Sequence, residues 1–375
     1  MGTNGGLITP TMIAKEALMV LENECVMSGL VNRDYSNDFA NVGATVFARI
    51  PSVFTATVVG NTVNAATVSE SSVAVALDKL ADVTLEVTTK MLTLDITDFS
   101  EQYIQPALRA HAQLMDMYGC AEAVNFAGHA TVSGTPSVSD IVQLGAVLDS
   151  QKCPARGRQL VMGPVTKAGY MVLEPFLYAE HRADGGKALR EADMGRVLGF
   201  DCAMDQNMNL THTGGDMADV AGAATVAWAV GTTAGTIDGI TSGGTVLAGD
   251  VFKFTGYDQW FRVATNATAS AATIIVTFTP PVKVAIADDT VVTFQKTGRD
   301  NLAFHKNAIT LVTRPLAAPL GGASAKVVSY KGLSCRVVYD YEIRTKQNIM
   351  SIDMLYGWKT LDINLGARLI DQRSV

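Results

Sequence analysis

Between Thr213 and Thr297 the chain changes character. The stretch is rich in Gly, Ala, Thr and Val, has no Glu and no Cys, and carries its two prolines side by side at Pro280 and Pro281. Short alternating runs, Val251-Phe252-Lys253-Phe254 and Thr273-Ile274-Ile275-Val276-Thr277-Phe278, stand between Gly, Asn and Asp residues, the pattern of half-buried antiparallel strands. This predicts a small β domain. The flanks mix helical and strand patterns instead, so the economical plan is one α/β body interrupted by an inserted all-β module.

With 375 residues the chain is long enough for two or three domains, each with its own core. The net charge of -7 and the lack of any Lys/Arg cluster argue against a sequence-independent nucleic-acid binder, which needs basic stripes to displace counterions from phosphates. Five cysteines, Cys25, Cys120, Cys153, Cys202 and Cys335, are widely spaced and never form CxxC. They read as small core residues of a reducing compartment, not as a disulfide or metal framework. No secretory pattern opens the chain, and Met1-Gly2 fails as a myristoylation signal because position 6 is Gly6. The uncharged run from Val220 to Ile237 is the one membrane decoy, but its Gly, Thr and Ala content transfers poorly into lipid. A Gly-rich loop and strand of the β module is the better reading.

Taken in order, Thr9-Pro10 starts a helix with Ile13, Ala17 and Leu21 on one face, ended by Gly29. With no partner nearby in sequence, it reads as an arm that packs on something else. Strands follow at Thr45 to Ile50, Val73 to Leu77 and Val83 to Thr88, the last with Val83, Leu85 and Val87 on one face and Thr84, Glu86 and Thr88 on the other. Val53 to Ala66 lies between them as an extended excursion. A two-stranded excursion cannot bury both its faces, so a neighbouring surface is expected. Pro106 then opens a helix to Ala127, about 33 Å long, with Leu108, Ala112, Met115, Ala123 and Phe126 inward and Gln105, Arg109, Gln113 and Asp116 as its polar stripe. Ser137 to Ser150 and Val165 to Phe176 read as helices, with a buried strand at Gln159 to Met162 between them. Gly195 to Met204 closes the first half. After the β module the body resumes at Asn301 to Leu311, followed by strands at Cys335 to Ile343 and Met350 to Tyr356, Gly357-Trp358 closing the second, and a last segment at Leu361 to Leu369.

No catalytic constellation emerges. The five histidines, His111, His129, His181, His212 and His305, lack metal-ligand spacing, and each alone reads as a surface or packed histidine. There is no GxSxG elbow, no phosphate loop and no dinucleotide fingerprint; Gly185-Gly186-Lys187 lacks the following hydroxyl because Ala188 stands there. Asp288 and Asp289 are neighbours that would point to opposite faces of a strand, so a turn suits them better than paired acid–base work. Asn209-Leu210-Thr211 and Asn266-Ala267-Thr268 match the glycosylation acceptor, which matters only in a secreted chain. The chain is therefore expected to have no catalytic, cofactor-binding or metal-binding residues.

Four separated segments, in order, resemble the coat-protein family of tailed bacteriophages typified by phage P22. The first is Leu77-Asp78-Lys79 through Val83 to Val87, then Leu94-Asp95-Ile96-Thr97-Asp98-Phe99-Ser100-Glu101-Gln102-Tyr103-Ile104 and Pro106-Ala107. The second is Gly199-Phe200-Asp201 with Asp205-Gln206-Asn207; the third is Leu302-Ala303-Phe304-His305-Lys306-Asn307-Ala308 with Pro315-Leu316. The fourth is Tyr339-Asp340-Tyr341 through Asp353-Met354-Leu355-Tyr356-Gly357-Trp358.

The resemblance implies an α+β, HK97-like phage capsid fold with an inserted all-β domain. Residues 1–43 would be the amino-terminal arm, 44–92 the extended loop with flanking strands, and 93–136 the peripheral domain with its spine helix. Residues 137–212 and 298–334 would form the axial domain, 213–297 the inserted β-barrel-like domain, and 335–375 the closing strands. It further implies a major capsid protein, not an enzyme, that self-assembles as hexamers and pentamers into an icosahedral shell around double-stranded DNA. Scaffolding protein, portal protein and, where a shell carries them, decoration proteins are the other partners, with no membrane. The chain would be made in the bacterial host cytoplasm and reside in the virion. Some relatives of the wider fold join subunits through a Lys and an Asn; Lys79, Lys90 and Asn348 lie in the corresponding parts, but their spacing does not support it and noncovalent assembly is expected. The rival from another class is a β-rich binding or adhesion module on an α/β body, which an aromatic-lined groove would favour. An intracellular hydrolase ranks third, for want of a nucleophile–base pair.

Overall fold

The computed structural model describes residues 25–34, 45–50, 71–88, 105–177, 190–208, 211–212, 221–295, 297–317, 319, 324–330, 333–344 and 347–373. Most of the helix expected from Thr9-Pro10, the Val53 to Ala66 excursion, Lys90, Leu94 to Ile104 and Gly185-Gly186-Lys187 lie outside them; Gly29, expected to end that helix, sits inside a short helix, Met27–Leu30, preceded by non-helical Cys25 and Val26. The chain divides into two compact units, Met1–Met115 with Ile309–Leu361 and Asp116–Ala308 with Asp362–Val375.

The first unit is built on a five-stranded antiparallel sheet whose longest strand is Gln347–Thr360. Along one edge it pairs with Lys79–Thr88, from Gln347 opposite Thr88 to Tyr356 opposite Lys79. Its other edge is shared end to end by Leu333–Glu342 and Ile309–Arg314, and Ser324–Tyr330 extends the sheet beyond Leu333–Glu342. In the Lys79–Thr88 strand the expected alternation is present: Ala81 is buried and Val83 and Leu85 half-buried, while Asp82, Thr84 and Glu86 are exposed. Gly357 does not close the long strand, which continues to Thr360. A Cβ at Gly357 would lie 2.1 Å from the Ala76 carbonyl oxygen, so this glycine admits the Ser71–Ala76 strand against the sheet. Ser71–Ala76 pairs with Thr45–Ile50, and Val46, Ala48, Val75 and Leu77 form one cluster with Val312. The foot of the excursion is thus packed on the chain's own sheet.

The Gln105–Ala121 helix buries Leu108, Ala112 and Met115 at the expected spacing. It is shorter than the sequence predicts, about 26 Å, and passes into a 3₁₀ turn at Glu122–Asn125. The Asn125 amide donates to Glu122 at 2.7 Å, and Phe126 leaves the helix in an extended conformation. Phe126 is fully buried against Gly366, where a Cβ would meet its ring at 2.3 Å, so packing of this side chain overrides the helical pattern. Asp116, expected on the polar stripe, is buried.

In the second unit the strands run in the order His129–Val132, Gly366–Asp371, Gly298–His305, Arg158–Met162, Phe200–Met204 and Arg196–Val197, and Thr211–His212 also pairs with Gly298–His305. Gly298–His305 is buried at seven successive positions, as a central strand covered on both faces must be, which is why it shows no alternation. Ser137 caps the Val138–Ser150 helix in a capping box with Asp140. The single helix expected from Val165 to Phe176 is two, Pro164–Met171 and Glu174–Leu177. Pro175 has no N–H to continue the first helix and its ring would meet a carbonyl one turn back, whereas it suits the first turn of the second.

Six strands close a barrel in the order Ala234–Asp238, Ile274–Thr279, Trp260–Val263, Val251–Phe254, Val291–Phe294 and Ala221–Ala224. Its core is aromatic: Phe252, Phe254, Phe261, Phe278, Phe294 and Trp228 are buried together. Trp228 stacks on Phe278 at 4.9 Å and meets Phe254 edge-on at 4.8 Å, favoured arrangements for ring pairs. Gly235 is required beside Trp228, whose ring stands 2.2 Å from where a Cβ would be. The Val220 to Ile237 run supplies two barrel strands.

Candidate functional site

Inside the second unit the barrel is joined to the large sheet by buried charge. Arg368, on the Gly366–Asp371 strand, is 0% exposed; its Nη1 donates to Asp300 Oδ2 at 3.2 Å and its Nη2 to the Gly249 carbonyl oxygen at 2.9 Å. One guanidinium therefore ties its own strand, the neighbouring strand and a turn of the barrel. Gly249 has φ 100°, and a Cβ there would lie 2.5 Å from Val124, so both backbone and space demand glycine at this contact.

Asp250 follows directly, and its Oδ2 accepts the Leu247 N–H at 2.8 Å. Burial pushes its carboxyl up to about 6; the Leu247 N–H and Arg368 oppose the rise, and the Asp300 charge adds to it. Arg262 on the Trp260–Val263 strand is lowered by burial and by Arg368, against the pull of Glu122. Beside this cluster His129 Nε2 donates to Gln295 Oε1 at 2.9 Å, while Gln295 Nε2 donates to Thr131 at 3.0 Å. The His129 ring lies 3.8 Å from that of Trp260, and the Lys253 ammonium stands 5.2 Å from the same indole. The barrel face bearing Lys253, Trp260 and Arg262 is thus turned to the sheet. Ile275 and Val291, on other strands, are exposed.

Buried ion pairs stabilise little relative to well-packed apolar groups, yet they fail badly when one partner is misplaced. This cluster is suited to fixing one orientation of the barrel on the sheet. It contains no nucleophile and base in contact. Among the described residues no group of three or more His, Cys, Asp or Glu is placed to hold a metal ion, and no helix is long and apolar enough to cross a membrane.

A cleft of about 790 Å³ opens beside the joint, lined among others by Tyr257, Gln259, Trp260, Lys283, Val147 and Asn364. Three of its lining groups, Trp260, Tyr257 and Gln259, are engaged within the chain. Trp260 is held by His129 and Lys253, the Tyr257 hydroxyl accepts the Ala287 N–H at 3.2 Å, and the Gln259 amide bonds Pro281 and Lys283 at 2.7 and 2.8 Å. An aromatic platform free to stack on a sugar is not what these contacts make.

The residues weighed in the sequence do not converge. His111 and His129 are buried at separate places, His305 is half-buried, His212 is on a short strand, and His181 lies outside the described residues. Cys25, Cys120, Cys153 and Cys335 are buried thiols and Cys202 is half-buried. Asp288 and Asp289 form an exposed turn, Asp289 with φ 56°. Lys79 pairs with Asp78 at 2.9 Å, and Asn348 is nearly buried in the long strand, opposite Val87 in register. Sequence reasoning missed the Arg368, Asp300 and Asp250 cluster. Its one signal was a charge set inside an otherwise apolar strand, as in Gly366-Ala367-Arg368-Leu369-Ile370.

No family model and no curated protein matches the chain. Solved structures do. A chain of the cyanophage P-SCSP1u capsid structure is 10% identical with TM-score 0.47, covering 89% of this chain and 85% of that one. A chain of the native GTA particle capsid is 10% identical with TM-score 0.40, covering 93% and 94%. A chain of Mycobacterium phage Che8 is 13% identical with TM-score 0.50, covering 92% of this chain and 90% of that one. In its fold, this chain is similar over nearly its whole length to a solved bacteriophage chain, that of Mycobacterium phage Che8.

Proposed function

We propose that the chain is the major capsid protein of a tailed bacteriophage, with an HK97-like fold on the P22-like plan. The observation that carries this reading is the fold shared with the Mycobacterium phage Che8 chain across 92% of the sequence. The four segments that resemble phage coat proteins support it from the sequence side. On this reading residues 213–297 are the inserted domain, and the rest divides into the arm, extended loop, peripheral and axial domains with the boundaries given above. Copies of the chain assemble as hexamers and pentamers, with scaffolding and portal proteins, into a shell around double-stranded DNA. The role is structural and not catalytic, and assembly is noncovalent. Weak contacts repeated by symmetry are enough to hold a closed shell.

A two-stranded ribbon with Phe47 64% exposed, and a sheet edge with Leu80 62% exposed, suit a chain that meets further copies of itself. The binding-module rival loses ground because Trp260 is engaged at the joint. Gradient sedimentation of the purified chain, alone and with a phage scaffolding protein, tests the proposal. Fast-sedimenting particles of uniform size are expected, and a monomer peak under all conditions would overturn it.

A further inference from the structure

His111 lies on the Gln105–Ala121 helix, within the first unit, and is 2% exposed. Its Nε2 is 2.9 Å from the Ile352 carbonyl oxygen on the long central strand. A carbonyl only accepts, so Nε2 carries the hydrogen and Nδ1 holds the bare lone pair in the neutral ring. That Nδ1 is buried without a hydrogen-bond partner. Acid would have to place the second proton there, where no acceptor waits.

The carboxylates that could answer such a charge are already engaged. Asp353, on the strand that holds Ile352, accepts from Arg336 Nε at 2.8 Å, and Asp82, on Lys79–Thr88, accepts from Thr84 at 2.8 Å. The Ser351 hydroxyl lies between the two, 2.5 Å from Asp353 and 2.6 Å from Asp82, and its one hydrogen serves either carboxylate. On its own helix, Arg109 two positions earlier is exposed and brings further positive charge. Cys25 meets the same helix through the Ala112 carbonyl, at 4.0 Å.

We propose that His111 is an acid-sensitive clasp: its protonation releases this helix from the five-stranded sheet. Burial holds the ring below its usual 6.5, with the Ile352 carbonyl, Asp82 and Asp353 opposing. The folded unit therefore binds the proton less well than the unfolded chain does. Stability contributed by the neutral ring is present above pH 6.5 and is lost as pH falls through the folded value.

Hydrogen–deuterium exchange on the full chain, corrected for intrinsic rates, tests this between pH 7.5 and 4.5. Protection of residues 105–115 should fall by about tenfold or more, with a midpoint below 6.5. His111→Gln keeps a donor for Ile352 without a titrating ring and should abolish that loss. Asp82→Asn, at an exposed position, removes an opposing charge and should move the midpoint to lower pH. A pH-independent wild type, a midpoint at or above 6.5, the same loss in His111→Gln, or an unmoved midpoint in Asp82→Asn would each overturn the proposal. The wild-type and Asp82→Asn readings decide it even where His111→Gln does not fold.

Discussion

Asp250 illustrates what a buried carboxyl does to the joint between barrel and sheet. Its carboxyl is raised to about 6 from 3.8, so the folded chain prefers it protonated, and its contribution to stability is present below 3.8 and lost as pH rises through about 6. Asp250→Asn keeps an oxygen for the Leu247 N–H but removes the charge. Its stabilising effect should be small at pH 4 and grow to about 3 kcal/mol above the folded value, as urea unfolding at each pH would measure; equal stability at pH 8 would contradict this. Phe304 tests the opposite environment. It is fully buried in the central strand, paired with Gly366 on one side and Gln159 on the other. Phe304→Asp should cost ~3 kcal/mol or more by leaving a charge unpaired in the core. Recovery of the variant as soluble, assembled protein would show that placement to be mistaken.

The barrel is the element whose independence can be tested directly. It closes on itself through six strands, and among the described residues its aromatic core is drawn from between Ala224 and Phe294. Residues 213–297 expressed alone should therefore give a β-sheet circular dichroism spectrum and a cooperative melt, since Arg368 and Asp300 fix its attachment and not its core. A random-coil spectrum would count against that boundary. Short-range chemistry made many elements legible: the Val251–Phe254 alternation, the helix from Ser137 to Ser150 and the apolar face of the Gln105–Ala121 helix were all visible as residue patterns. The errors arose where a distant partner decides. Phe126 ends a helix by packing on Gly366, and Gly357 lets a strand pass because Ser71–Ala76 lies against it. Pro175 is different: its local meaning was available and outweighed by the apolar spacing around it. The charge cluster at Arg368 could not be read, because Asp300, Asp250 and Arg368 are far apart in sequence and meet only when barrel and sheet are in place.

At the scale of the whole molecule, the proposed shell role requires the chain to be completed by other copies of itself. Noncovalent assembly predicts that mature particles run as a single band on denaturing gels; a ladder of multimers would instead point to covalent joining. The most direct measurement is electron microscopy of particles formed by the purified chain, with and without scaffolding protein. Closed icosahedral shells, with density for the chain arranged as pentamers and hexamers, are the predicted result. A monodisperse monomer, or a discrete small oligomer that never closes into a shell under either condition, would contradict the central claim.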